Sequence, residues 1–494
     1  MITQEQFQQL AAEGHSAHPH NFVPVVREVL SDLDTPLSVY LKLADGPYTY
    51  LFESVEGGER FGRYSIIGLP ARRTYSFRGH TLEVSDLGEV VERREVADPL
   101  AEVEVLRRQY SVPQLDGLPG FTGGLVGWFG FECIQYIEPH LGAGEKPDEL
   151  GTPDILLMLS EELAVFDNLK GRLYLIVHAD PAQPQAWARA NRRLDELAHR
   201  LRQGGAGYPQ AQVSDAIDEQ DFQSSFTREE YHAVVRKAQE YVRAGDIFQV
   251  VPSQRLRVPF RARPIDVYRA LRALNPSPYM YFIDVGGTQV VGSSPEILAR
   301  LRDGIVTVRP IAGTRPRGAT PELDKALEVE LLADPKERAE HVMLIDLERN
   351  DLGRVCMPGT VEVDELMTVE SYAHVHHIVS NVRGRLREGV TPGQAIAAVF
   401  PGGTITGCPK VRCMEIIAAL EDAPRGAYTG ALGYLDRNGD LDLNILIRTL
   451  TLAGDTVSLR AGAGIVADSV AERELEETRA KARGLLRALG AADA

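Results

Sequence analysis

The stretch DPKERAEHVMLIDLERNDLGR, residues 334–354, sets the hardest condition on how this chain folds. Asp334 stands at a cap position, Pro335 fits the first helical turn, and Glu337 completes a capping-box signature. Val342, Met343, Leu344, Ile345 and Leu347 then make the helix apolar almost all round, which predicts burial. Yet Glu337 and Glu340 fall one turn apart on one face, with His341 beside them. Two carboxylates about 5 Å apart repel by about 3 kcal/mol at an effective dielectric near ~20. A buried helix tolerates that only with a positive partner or a retained proton. A cap at Glu337 and an ion pair from Glu340 to an arginine satisfy this as well as a metal does.

A second acidic pair shifts the balance. Ser469 to Glu472 is another capping signal, opening a predicted helix from Val470 to Leu489. Glu474 and Glu477 share a face of it, although Glu477 could simply pair with Lys481 one turn on. If the two helices meet, four carboxylates converge. Oxygen-only ligands of that kind suit Mg²⁺ with part of its shell left for substrate.

Bulk properties narrow the function classes. A chain of 494 residues exceeds one ordinary core, so two domains are expected. The formal charge of −17 argues against nucleic acid and against anionic membrane surfaces. An anionic substrate therefore needs local positive charge from arginine, a metal or helix ends. The four cysteines, Cys133, Cys356, Cys408 and Cys413, are too scattered for a disulfide framework or a zinc site. Reduced thiols, the lack of a basic apolar leader and the lack of a long apolar run give a cytoplasmic expectation.

Short alternating runs from residue 37 to 86 (LSVYLKLA, TYLFESV, YSIIGL, RTYSFRG, HTLEVSD) predict antiparallel strands after a leading helix and connector over 1–35. Residues 155–179 read as a hairpin of two buried strands and 186–203 as a helix. Gly, Pro and polar residues over 204–223 predict a linker, dividing the chain into 1–203 and 224–494. Further on, Gln249 lies in an apolar strand, and Glu296 sits at a strand-to-strand corner. Ala312-Gly313-Thr314 at a strand end can offer backbone N–H groups to an anion. Gly462 and Gly464 precede the capped last helix, also an anion-binding arrangement. Arg448 falls opposite the apolar face of the strand Leu441–Ile447. His374, His376 and His377 invite a metal reading, but no upstream spacing supports zinc. The alternation of strands and helices places the chain in the α+β class.

PIAGTRPRG, KERAEHVMLIDLERNDLGR, GGTITGCPK, YTGALGY and AGAGIVADS, in this order, resemble the chorismate-utilising enzymes, and within them the anthranilate synthase component I branch. The resemblance implies a layered sandwich of antiparallel β-sheets flanked by helices, with a large chorismate-binding region and an N-terminal regulatory region. It implies Mg²⁺ held by Glu340 and Glu477 with Glu337 and Glu474 as companions. It carries substrate contacts to Gly313, Thr314, Thr404, Tyr428, Arg448, Gly462, Ala463 and Gly464. Glu296 matches the acid that helps the ring hydroxyl leave, and His377 the histidine linked to pyruvate elimination. Gln249 stands where water-using relatives carry a lysine base, which favours ammonia as nucleophile. Ala312 stands where many aminodeoxychorismate synthases carry a lysine that attacks the ring. Ser54, Pro278, Tyr279 and Met280 match a tryptophan feedback site.

The implied reaction takes chorismate and ammonia to anthranilate and pyruvate. No glutaminase nucleophile is visible in the sequence, so a separate glutamine amidotransferase subunit in a hetero-oligomer is expected. The Asp-Leu-Asn of DLDLN and the ITGCPK variant leave aminodeoxychorismate synthase component I as the competing member. A non-catalytic amino-acid-sensing paralogue is the alternative of another class.

Overall fold

The computed structural model describes residues 2–13, 20–54, 62–113, 115–141, 146–148, 150–203, 222–372 and 375–493. The alternating runs build two large antiparallel sheets. An 11-stranded sheet runs in the order Val23–Leu30, Arg172–Ala179, Glu162–Asp167, Tyr64–Gly68, Thr49–Glu53, Tyr279–Asp284, Thr288–Ser294, Thr449–Ala453, Thr456–Gly462, Ser253–Pro259, Gln223–Ser224. A 12-stranded sheet runs Ile311–Pro316, Val375–Arg385, Ile305–Val308, Ile297–Arg302, Leu441–Ile445, Ala431–Asp436, Gly124–Phe129, Ile155–Ser160, Arg73–Arg78, Thr81–Asp86, Glu89–Glu95, with Glu362–Ser371 also paired to Val375–Arg385.

The sheets pack face to face. Tyr50, Leu163, Tyr281 and Val290 of the first meet Val126, Trp128, Met158 and Leu432 of the second in one core. The outer face of the first sheet is covered by helices Pro36–Leu43, Ala186–Arg202, Pro264–Leu274 and Ala471–Asp493, through Val39, Leu194, Tyr268 and Leu485. The outer face of the second is covered by Pro99–Arg108, Pro335–Gly353 and Pro392–Val399, through Val103, Ile345 and Ile396. The result is the helix-flanked double sandwich that the resemblance implied. Strand period decides what each layer sees. On Leu441–Ile445, the three apolar residues Leu441, Leu443 and Ile445 enter the outer core, while Asp442 and Asn444 face a cavity between the sheets.

Three local expectations are corrected. Residues 37–43 are helical, because Thr35 and Ser38 form a reciprocal capping box with Pro36 at the first position, and the buried Val39, Tyr40 and Leu43 share one helical face. The connector before them contains the strand Val23–Leu30. Residues 155–179 form three strands: Ile155–Ser160 belongs to the second sheet, and the chain crosses at Glu161 into the first. The predicted linker 204–223 lies outside the described residues except for 222 and 223. Both sheets take strands from both sides of it: Thr49–Glu53 pairs with Tyr279–Asp284, and Gly124–Phe129 with Ala431–Asp436.

Candidate active site

The helix Pro335–Gly353 starts as its sequence requires, with the Asp334 carboxylate accepting from the Lys336 and Glu337 N–H groups at 2.9 and 3.3 Å. Glu337 does not complete a capping box; its carboxylate takes Arg315 Nη1 at 3.2 Å, and Asp334 takes Nη2 of the same arginine at 2.7 Å. Nor is the helix buried all round: His341, Leu344, Ile345, Glu348, Asp351 and Leu352 form its inner face, while Val342 is exposed. Glu340 accepts from Gln249 Nε2 at 3.0 Å. Gln249 is buried on a two-residue ribbon opposite Cys408, and Gly464 packs so closely on it that a Cβ there would lie 2.1 Å from Nε2.

Glu296 occupies the predicted corner between Thr288–Ser294 and Ile297–Arg302 and is buried. Its backbone is held by the Ser294 hydroxyl, and its carbonyl accepts from Ile445 N at 3.0 Å. Burial pushes its carboxyl up to about 8; the Thr404 hydroxyl lowers it and the Glu348 charge raises it further. Glu296 is therefore an acid that keeps its proton at neutral pH. Arg448 is not on a strand. It occupies the turn between Leu441–Ile445 and Thr449–Ala453 at φ +49°, a left-handed conformation rare for arginine. Among the described residues no carboxylate pairs with its guanidinium, whose pKa burial lowers while Tyr372 and Glu296 raise it. A half-buried guanidinium with no such partner is a ready site for a substrate carboxylate.

His377 faces the strand bearing Gly313 and Thr314. Its Nδ1 lies 3.0 Å from Gly313 O and 3.2 Å from the Thr314 hydroxyl. A carbonyl can only accept, so Nδ1 carries the hydrogen and Nε2 presents a lone pair. Burial lowers the imidazole to about 4, which leaves it neutral. Gly313 has φ +68°, and a Cβ there would stand 3.1 Å from a Glu337 oxygen. These contacts bring His377, the Gly313–Thr314 strand end and the first acidic pair into one place.

The second acidic pair lies across the Gly462–Gly464 strand end. Lys481 Nζ holds Glu477 at 2.8 Å and donates to Gly462 O at 2.9 Å, and its charge also acts on His377. Glu474 is raised by burial and by Glu477, and lowered by the Ser469 hydroxyl and by Lys336 of the first acidic helix. Lys336 itself reaches Asp468 at 3.2 Å. Glu472 pairs with Arg228 at 2.7 Å instead of closing a capping box. Tyr428 is buried, with its hydroxyl 3.1 Å from where a Gly462 Cβ would be, and Ala463 is fully buried beside it. Both acid pairs thus flank the same strand end, linked to it through Gln249 and through Lys481. Among the described residues no group of three or more carboxylate, histidine or cysteine side chains is gathered closely enough to hold a metal ion. The donor chemistry, carboxylate oxygens alone, nevertheless fits a hard cation, although Arg315 and Lys481 already place one positive charge on Glu337 and on Glu477.

Ser54, Pro278, Tyr279 and Met280 all line a single cavity of about 270 Å³ between the two sheets. Its polar groups include Glu53, Ser54, Arg63, Arg302, Asn444 and the Arg300–Asp442 ion pair, 2.8 Å apart, to which the Tyr279 hydroxyl is bonded. A space of this size with placed polar and charged groups suits one small molecule.

Of the clustered histidines, His376 is structural, bonded to Ser371 and to Asp324 at 2.8 and 2.9 Å, and His374 lies outside the described residues. Sequence reasoning missed the buried charges behind the site. Glu421 accepts from Arg425 at 2.6 Å and Arg460 at 3.2 Å, and Arg425 donates to the carbonyls of Val251 and Ile405 and stacks on Tyr428. Lys410, Asp351 and Glu348 form a second such group. The periodic signal was present, since Glu340, Leu344 and Glu348 repeat every four residues, but charge at a core position argued for surface.

The profile of the chorismate binding enzyme family matches residues 49–487. The chain is 52% identical to anthranilate synthase component 1 of Pseudomonas aeruginosa, covering 100% of this chain and 99% of that protein. It is 50% identical to the protein of the same name from Neisseria meningitidis serogroup A, covering 99% and 98%. The crystal structure of anthranilate synthase component I from Streptococcus pneumoniae superposes with a TM-score of 0.78 at 35% identity, over 93% of this chain and 99% of that one. The menaquinone-specific isochorismate synthase from Escherichia coli shares the fold, with a TM-score of 0.70 at 18% identity over 98% of both chains.

Proposed function

The chain belongs to the family of chorismate-binding enzymes, and from that premise we propose that it is the aminase subunit of anthranilate synthase, turning chorismate and ammonia into anthranilate, pyruvate and water. The observation that carries the reading is the meeting of a half-buried guanidinium, Arg448, which no carboxylate pairs among the described residues, with a buried acid, Glu296, beside the neutral His377.

Chorismate carries two carboxylates. Arg448 and the backbone of Gly462, Ala463 and Gly464 hold the enolpyruvyl carboxylate, with the Tyr428 hydroxyl beside Gly462. Gly313, Thr314 and Thr404 bound the ring. Ammonia adds at the ring carbon next to the ring carboxylate, and Glu296 gives its proton to the departing ring hydroxyl, which leaves as water. Gln249 presents an amide where a base would otherwise activate water, so ammonia is the nucleophile. The aminated carbon then loses its proton, for which the Nε2 lone pair of His377 is the acceptor. Pyruvate departs and the ring becomes aromatic.

Glu337, Glu340, Glu474 and Glu477 are the residues that would hold Mg²⁺, which when bound supplies positive charge to a substrate carboxylate and relieves the repulsion within each acid pair. The cavity lined by Ser54, Pro278, Tyr279 and Met280 is assigned to tryptophan as a feedback inhibitor. Residues 1–203 then contribute the regulatory part and residues 224–494 the catalytic part. Ammonia is supplied by a glutamine amidotransferase subunit in a cytoplasmic hetero-oligomer.

Arg448→Gln tests the reading. Loss of a charge-assisted contact worth about 1.5–3 kcal/mol raises the chorismate KM by about 10- to 150-fold. A variant with the parental KM contradicts the assignment.

A further inference from the structure

The helix Pro335–Gly353 repeats its acid-bearing face two turns beyond Glu340, and Glu348 is the residue it places there. Glu348 is buried, and its Oε1 lies 3.9 Å from where a Cβ on Gly403 would stand. Gly403 opens the short turn Gly403–Ile405, whose Thr404 hydroxyl faces the Glu296 carboxyl, and its backbone N–H favours the charged form of Glu348. Two buried carboxyls therefore meet across one turn of backbone. Glu348 is faced by Lys410 from the neighbouring helix and by Asp351 on its own; Lys410 is spoken for, bonding Asp351 and donating to Val399 O at 2.9 Å. Glu296 is faced by the charges of Glu348 and Arg448.

We propose that Glu348 is a positioning residue for the reaction: its negative charge, set against the Gly403 turn, holds the proton on Glu296 that the departing ring hydroxyl takes. The inference rests on the assignment of Glu296 as the acid. The directions of the shifts support it. Burial raises both carboxyls, and the Glu348 charge raises Glu296 further. The two macroscopic steps belong to the pair.

The test compares Glu348→Gln with the parent, using chorismate, Mg²⁺ and ammonium salt between pH 6.5 and 9. The ammonia fraction divides out when the two enzymes are compared at each pH. The ratio of variant to parental kcat falls progressively as pH rises, by about 10-fold across the range, because Glu296 loses its proton earlier. A ratio that is constant with pH marks a merely structural role and overturns the proposal. Glu348→Asp, which returns the charge, restores most of the alkaline rate. Infrared titration of the substrate-free protein keeps the proposal testable should Glu348→Gln fold poorly. The parent shows two buried carboxyl bands titrating near neutrality, and Glu296→Gln, which keeps Glu348, retains one of them. Absence of that band in Glu296→Gln overturns the proposal. A fully active Glu296→Gln enzyme whose band persists would instead refute the acid assignment, so the two failures are distinguishable.

Discussion

Gly464→Ala inserts one methyl group at the point where the two halves of the site touch. Gly464 has no left-handed φ, so its backbone accepts alanine. The methyl carbon would lie 2.1 Å from Gln249 Nε2 and 3.2 Å from Gln249 Cδ, and no other residue is among its nearest neighbours. The Gln249 backbone cannot retreat, because Val250 N bonds Ile465 O at 3.2 Å and the Cys413 thiol donates to Gln249 O at 3.0 Å. The side chain must swing away, which breaks its 3.0 Å bond to Glu340. A hydrogen bond to a charged group is worth about 1.5–3 kcal/mol, or about 10- to 150-fold in rate. The assay is kcat/KM for chorismate, read from anthranilate fluorescence with ammonium as nitrogen source. Because the damage passes through one side chain, Gln249→Ala should lose a similar factor, and the double variant no more than either single one. A Gly464→Ala enzyme within twofold of the parent, or losses that multiply in the double variant, would refute the reasoning.

Other expectations follow from the same contacts. Glu296 holds its proton in the folded protein up to about pH 8, whereas the unfolded chain releases it near the ordinary carboxyl value of 4.5. The native state then binds more protons than the unfolded one across that window, so this group costs stability as pH rises. Glu296→Gln should therefore gain stability over the parent between pH 5 and 8 in urea unfolding, and an unchanged difference would contradict the buried acid. Glu421→Gln leaves Arg425 and Arg460 buried without their carboxylate; a loss of about 3–5 kcal/mol is expected in the same measurement. Ser54→Leu narrows the inter-sheet cavity, and tryptophan should need at least about a tenfold higher concentration for half-inhibition while the uninhibited rate is kept.

Much of this architecture was legible because local chemistry and global packing agree. Thr227 with Glu230, and Gly245 at φ +82°, bound their helix as the sequence requires. Alternation on Leu441–Ile445 marks Leu441, Leu443 and Ile445 as one apolar face, and these three are the residues in the core. The misreadings have identifiable causes. An alternating pattern over 37–44 yielded to the Thr35–Ser38 cap, and a single buried run over 155–179 conceals a change of sheet at Glu161. Arg448 reads as a strand residue, but the ladder ends at Ile445 and the turn aims it inward. Glu348, Lys410, Asp351, Glu421, Arg425 and Arg460 were hidden for a common reason. Sequence period cannot tell a solvated charge from a buried one whose partner lies far along the chain. The acidic pairs were visible one helix at a time, whereas their approach to a shared strand end depends on Gln249 and Lys481, which only tertiary structure brings there.

The most direct test is product analysis after complete turnover of chorismate with Mg²⁺ and ammonium salt. The account predicts anthranilate and pyruvate in equal amounts, because a protein that protonates the leaving hydroxyl through Glu296 and takes the ring proton through His377 carries the ring to aromaticity. An aminated product that keeps its enolpyruvyl group, with no pyruvate released, would contradict it.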